Sequence, residues 1–186
     1  MQVKTYNYPL LLVDVERLAT QIKVSGKYPT YIISVREGGA YLGDLLRQHF
    51  PEVPYEAVSL QRSSGVKKNN LSQWLIKKLP RKVCDWLRML EMQLRDRKSV
   101  SASMQDIRIE DLKVTPVLGK RILLVDDAID SGATILAVRN IIKQYCPEAD
   151  IKIAVFTVTS NHPACQADFC LYHNRTLCRF PWSIDY

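Results

Sequence analysis

Asp126, Asp127 and Asp130 crowd the end of an apolar run in RILLVDDAIDSGATI, residues 121–135. Ile122 to Val125 read as a buried strand. A strand finishing in like charges works against itself, because the charges repel and each loses hydration on burial. The arrangement is useful where something binds. Acceptor-only carboxylates suit the hydroxyls of a diol or a hydrated divalent cation. The next residues, Asp130-Ser131-Gly132-Ala133-Thr134, suit an anion. Gly132 allows an unusual backbone angle and close approach of a ligand. Successive amides there can form an anion nest at the positive end of a helix, with the Ser131 and Thr134 hydroxyls as further donors. The P-loop pattern G-x-x-x-x-G-K-[ST] is absent. A phosphate cradle beside a diol-binding acid pair describes a ribose 5-phosphate site. The ordinary alternatives are a solvated strand end for the acid pair and a helix cap for Asp130.

The surrounding elements alternate. Residues 13–25 carry Val15, Leu18 and Ile22 at helical spacing, and 31–35 (YIISV) form a short buried strand followed by Arg36-Glu37-Gly38-Gly39. Residues 40–49 read as a helix and 55–60 as a second strand. Beyond residue 120 come strand 121–126, a helix over 133–146 ended by Pro147, strand 151–159 and strand 168–172. Alternation of this kind predicts a single α/β domain over 1–186, with a mostly parallel twisted sheet of about five strands flanked by helices. In such sheets ligands bind at the carboxyl ends of the strands.

Residues 61–115 interrupt the pattern. Gln61-Arg62-Ser63-Ser64-Gly65 reads as a loop, Leu71, Trp74, Leu75 and Leu79 as a short helix, and Val83, Trp86, Leu87, Leu90 and Leu94 as an amphipathic helix over 82–97. The net charge of +7 is concentrated here. Residues 61–98 hold eleven Lys or Arg against three acids, while the rest of the chain has fifteen against sixteen. This basic helical insertion has three readings: a solvated face, a lid over the site, or a surface for an anionic partner such as nucleic acid.

Composition, 47% hydrophobic and 24% charged, is that of a folded globular chain. No apolar run nears the roughly 18 residues that span a bilayer, and the amino-terminal one is broken by Asp14. Five cysteines without a C-x-x-C predict reduced, mostly buried thiols and a cytoplasmic protein. His49, His162 and His173 are too scattered to suggest a metal site.

The stretch ILLVDDAIDSGATI closely resembles the signature of the type I phosphoribosyltransferases: an apolar strand, two acids, two residues, then Asp/Ala/Thr and Ser/Thr-Gly-x-Thr. The resemblance implies that Asp126 and Asp127 hold the ribose hydroxyls of phosphoribosyl pyrophosphate (PRPP) and that residues 130–134 hold its 5-phosphate. SVREGG, residues 34–39, resembles the family's pyrophosphate loop, which assigns Arg36, Glu37, Gly38 and Gly39 to the leaving group. The family often has Arg or Lys directly before the glycine pair, where Glu37 stands here. RFPWSIDY resembles the Phe-Pro-Trp ending of the microbial xanthine/hypoxanthine-guanine branch, which puts Phe180 and Trp182, with Thr159, at the base and makes 160–186 a hood. Core packing is the ordinary alternative for Trp182.

The family reaction moves a 5-phosphoribosyl group onto a base nitrogen through an oxocarbenium-like transition state, with Mg²⁺ and PRPP. Asp130 matches members acting on 6-oxopurines, where it takes a ring proton. Those members usually carry a Lys near the end of the following strand, but here Thr159 and Ser160 occupy that region. The expectation is therefore a magnesium-dependent transferase for a purine or purine-like base in purine salvage. Asp126 and Asp127 are its candidate metal positions, directly or through ribose or water. A homodimer is implied by the family. The alternative is a regulatory protein that binds PRPP or a nucleotide without turnover.

Overall fold

A computed structural model describes residues 2–35, 38–62, 107–110, 121–173 and 176–183. Its elements in chain order are strand β1 (Gln2–Thr5), helix α1 (Tyr8–Val24), β2 (Tyr31–Val35), α2 (Gly38–Leu46), a short 3-10 turn (Arg47–His49), β3 (Tyr55–Arg62), β4 (Ile107–Glu110), β5 (Arg121–Val125), β6 (Ala128–Ile129), α3 (Ala133–Tyr145), β7 (Asp150–Val158), β8 (Phe169–Tyr172) and β9 (Thr176–Arg179).

The main sheet has seven strands in the order β4-β3-β2-β5-β7-β6, with β8 also paired to β7. All its pairings are parallel except the antiparallel β3–β4 ladder. It is the mostly parallel, helix-flanked sheet expected, with more strands because two- and four-residue segments such as β6 and β4 carry too few residues for a period to show. Gln61 and Arg62, expected in a loop, instead continue β3, where they pair with Arg108 and Ile107. The helices expected between them, with most of the basic excess, lie outside the described residues.

The strands are apolar without alternation because helices cover both faces. Ile32, Leu123, Val125, Ala154 and Phe156 pack with Leu11, Val15, Leu18 and Ile22 of α1 and with Leu42 and Leu46 of α2. The intervening residues Ile33, Val35, Ile122, Leu124, Ile153 and Val155 pack with Ile135, Val138 and Ile142 of α3. The two-residue repeat of the strands thus divides one apolar run between two cores.

Helix α1 begins five residues earlier than its apolar spacing predicts. Asn7 caps it, its side-chain oxygen accepting from the Leu10 amide at 3.0 Å, and Pro9 lies in the first turn. Among the described residues no helix is long and apolar enough to cross a membrane. Four cysteines, 146, 165, 170 and 178, are free thiols. Burial raises Cys165 and Cys170 and pushes Cys178 up to about 12, which keeps all three protonated and unreactive at neutral pH.

The chain's two ends meet in a second sheet, β1 parallel to β9, and the Tyr6 amide extends the pairing by donating to the Arg179 carbonyl at 2.8 Å. Asp14, the acid that breaks the amino-terminal apolar run, anchors this region. It is 1% exposed. It accepts from Lys4 Nζ at 2.8 Å, Arg17 at 2.7 Å, the Tyr6 hydroxyl at 2.7 Å and the Tyr172 hydroxyl at 2.6 Å. Lys4 also donates to the Tyr172 hydroxyl. Burial alone would raise the Asp14 carboxyl, but these donors outweigh it and hold the group well below the usual carboxylate range. Such a group contributes stability above the ordinary carboxylate pKa, and the contribution is lost as pH falls below about 4. Asp14→Asn is expected to cost about 3 kcal/mol in urea unfolding at pH 7, with the gap to the parent narrowing toward pH 3.

Candidate active site

Strand β6 keeps the register of β5: Arg121 lies opposite Asp150, and Ala128 opposite Thr157. Asp126 and Asp127 occupy the short break between them, and the ladder to β7 persists through it. The Asp126 amide donates to the Ala154 carbonyl at 3.2 Å, and the Phe156 amide donates to the Asp127 carbonyl at 3.1 Å. The acid pair therefore stands in the rigid middle of the sheet, at the level where β2 ends and α2 begins.

The two carboxylates are half-buried side by side, and the Asp127 amide donates to Asp126 Oδ1 at 2.9 Å. Burial first, then the neighbouring Asp127 charge, pushes the Asp126 carboxyl well above its ordinary range. Burial also raises Asp127, against the opposing hydrogen bond from Trp182. An acid pair strained in this way gains most from hydroxyl donors or a cation, which relieve the repulsion.

Gly38 and Gly39 at the start of α2 sit directly on this pair. A β-carbon on Gly38 would lie inside the Asp127 carboxylate. One on Gly39 would lie 2.8 Å from Asp126 Oδ1, 2.9 Å from its Cα and 3.0 Å from the Val125 carbonyl oxygen. The expected pyrophosphate turn and the expected ribose acids are thus in contact across 87 or more residues of chain. Arg36 and Glu37 lie outside the described residues.

After β6 the chain turns through Asp130, Ser131 and Gly132. Gly132 is left-handed, with φ 77°, and α3 starts at the next residue without a side-chain cap. The start of the expected hood segment 160–186 holds this turn. The Ala164 amide donates to the Ser131 carbonyl at 2.8 Å, and the Cys165 thiol donates to the Gly132 carbonyl at 3.4 Å. A β-carbon on Gly132 would come within 3.0 Å of the Cys165 amide nitrogen, a second reason for glycine there. The Ser131 hydroxyl lies 3.4 Å from the Ala133 amide, inside the same turn. The Ser131–Thr134 turn thus leads into the amino end of α3, where the sequence reading expects an anion.

Thr159 and Phe180, the other two expected base contacts, are both buried. Thr159, just past β7, is 3% exposed, and its hydroxyl donates to Asp130 Oδ1 at 2.5 Å, with the Ile129 carbonyl 3.3 Å away. It orients Asp130. Phe180 is 2% exposed and stacked between Tyr6, at 5.2 Å and 13°, and Trp182, at 4.8 Å and 7°. It is a support for Trp182, because an aromatic ring covered on both sides leaves no platform.

Trp182 does reach the acids. The turn Phe180–Ser183, closed by the Ser183 amide donating to the Phe180 carbonyl at 2.9 Å, carries the indole over Asp127. Its Nε1–H donates to Asp127 Oδ2 at 3.4 Å. On the solvent side Trp182 stacks on Tyr41 of α2, centroids 5.1 Å apart and planes 12° from parallel. Sequence reasoning missed Tyr41. The available signal was an aromatic lying off the buried Leu42–Leu46 stripe, three residues beyond Gly38.

The family model described as phosphoribosyl transferase domain matches residues 2–169. A search of curated proteins found no match. Among solved structures, the Helicobacter pylori xanthine-guanine-hypoxanthine phosphoribosyltransferase is similar over 99% of this chain and 94% of its own, with a TM-score of 0.66 and 18% identity. The purine phosphoribosyltransferase from Pyrococcus horikoshii Ot3 is similar over 98% and 95%, with a TM-score of 0.61 and 16% identity. A Bacillus anthracis hypoxanthine-guanine phosphoribosyltransferase is similar over 88% and 79%, with a TM-score of 0.59 and 17% identity. At these identities the likeness is one of fold.

Proposed function

The chain belongs to the phosphoribosyl transferase domain family, and from that premise we propose that it moves the 5-phosphoribosyl group of PRPP onto a ring nitrogen of a purine or purine-like base. The observation that carries this reading is the contact of Gly38 and Gly39 with the carboxylates of Asp127 and Asp126. A turn of backbone amides beside a diol-binding acid pair suits a sugar whose leaving group departs next to its hydroxyls. The purine acceptor is supported by Asp130 and by the names of the structural neighbours.

In this reading Asp126 and Asp127 bind the ribose hydroxyls. The amides and hydroxyls of residues 130–134 take the 5-phosphate, and Arg36, Glu37, Gly38 and Gly39 form the pyrophosphate turn. The C1–O bond to pyrophosphate breaks and its electron pair leaves with pyrophosphate. The C1–N bond forms, and the ring-nitrogen proton passes to Asp130. Fixed amides and charges facing the departing group favour the transition state more than the ground state.

The acid pair fits magnesium, since two hard oxygen donors held close together are relieved by a divalent cation. Among the described residues no group of three or more His, Cys, Asp or Glu is placed to hold a metal, so Mg²⁺ would be shared between Asp126 or Asp127 and oxygens of ligand or water. When bound it supplies positive charge beside the pyrophosphate. The reading assigns the protein to nucleotide metabolism, reusing a free base in the cytoplasm, where reduced thiols are kept.

A second reading, a regulator that binds PRPP or a nucleotide without turnover, is favoured by Thr159 standing where a base-contacting Lys is usual. One experiment separates the two: incubation with PRPP, Mg²⁺ and a panel of purine and pyrimidine bases, following pyrophosphate release. Release with at least one purine is the expected result. Tight PRPP binding without release for any base would overturn the transferase.

A further inference from the structure

Tyr41 has no role in the reading above, yet it occupies a marked position. The rings of Tyr6, Phe180, Trp182 and Tyr41 run as a near-parallel series, with successive interplanar angles of 13°, 7° and 12°. One end of the series is buried, Tyr6 at 0% and Phe180 at 2% exposure, and the other is open, Tyr41 at 54%. Phe180 covers Trp182 from the core side, and Tyr41 covers it from the solvent side. Trp182 is also the ring whose N–H reaches Asp127. A planar acceptor ring stacking on Trp182 near the ribose acids would need the space that Tyr41 fills.

We infer that Tyr41 is an intramolecular stand-in for the acceptor: the planar acceptor ring takes the place of the Tyr41 ring on Trp182. The inference rests on the transferase reading and deepens it. Tyr41 is an intramolecular competitor, tethered through α2 at high effective concentration. A ligand that needs it displaced binds more weakly by the fraction of molecules in which it has moved aside. The cost of displacement is that of one offset aromatic pair, so the affinity for the base falls about two- to tenfold. Tyr41 is surface-exposed with two side-chain torsions, so the ring can rotate away without disturbing the helix backbone. Rings that stack on indole more strongly than a phenol does, the larger bicyclic heteroaromatics, compete best.

The test measures base KM and kcat, by pyrophosphate release with PRPP and Mg²⁺, for the parent, Tyr41→Ala and Tyr41→Phe, with hypoxanthine, guanine and xanthine as probes. Tyr41→Ala is expected to lower the base KM about two- to tenfold while PRPP KM holds. Tyr41→Phe, which keeps the ring, is expected to keep the parental base KM. An unchanged or raised base KM in Tyr41→Ala would overturn the inference, since a stacking wall that the base needs gives a rise. If none of the three proteins turns over any probe, transfer to these three bases fails by itself. The inference is then read from quenching of tryptophan emission by the same bases, with tighter binding in Tyr41→Ala supporting it and equal or weaker binding overturning it.

Discussion

Asp130→Ala is expected to lower turnover by about 10²- to 10⁴-fold, the range of a positioned proton acceptor, while leaving PRPP affinity close to that of the parent. The structure makes this a clean substitution. Asp130 is held by the Thr159 hydroxyl at 2.5 Å, and that hydroxyl has the Ile129 carbonyl 3.3 Å away as a second acceptor. Removing the carboxylate therefore leaves the Thr159 hydroxyl with a partner. The Thr159 amide remains bonded to the Ile129 carbonyl at 2.9 Å, which keeps the end of β7 in place. Turnover and PRPP titration calorimetry on the same preparation decide the matter. Loss of PRPP binding together with turnover would mean that Asp130 shapes the phosphate turn and takes no proton. Thr159→Val is the companion variant, since it removes this hydrogen bond while keeping the carboxylate.

Gly39→Ala is expected to remove activity and to cost about 1–3 kcal/mol of stability, the range for forcing a methyl into a filled space. Two of the three atoms it would strike, the Asp126 Cα and the Val125 carbonyl, are backbone in the middle of the sheet and cannot rotate aside. The start of α2 would have to lift from β5, separating the amide turn from the acids. For Gly38→Ala the three nearest atoms all belong to the Asp127 carboxylate. That side chain can turn away, at the expense of its hydrogen bond from Trp182. The contrast predicts a melting temperature that falls in Gly39→Ala and holds better in Gly38→Ala, with turnover lost in both. Parental melting and turnover in Gly39→Ala would show that the glycine contact is incidental.

What could be read from the sequence was what is local. The strand at 121–125, its acids and the Gly132 turn lie within one short stretch, and residue types there report their own surroundings. Parallel pairing followed from alternation, because β2, β5 and β7 are each long enough to show an apolar run. What depended on distant partners was not legible. β1 and β9 have four residues each and, among the described residues, pair only with each other. Asp14 reads as a break in an apolar run, since nothing near it in sequence announces Tyr172 as a partner. Phe180 looked like a base platform because its neighbour Trp182 shares the motif, whereas Tyr6 fills its other side. Tyr41 and Trp182 are linked only by the fold.

The β1–β9 pairing carries a consequence for how the molecule assembles. Thr5 and Arg179 are 174 positions apart in sequence, so this small sheet closes one of the largest loops the chain can form, and closure of such a loop is slow and entropically unfavourable. Trp182 lies three residues beyond it. The sheet carrying Asp126, Asp127 and the Gly132 turn is built from nearer partners and can form first. The half of the proposed site assigned to sugar phosphate would then be in place before the half assigned to the acceptor. A refolding experiment on a variant with Trp74→Phe and Trp86→Phe, following PRPP binding and Trp182 emission separately, would see the two halves arrive in that order.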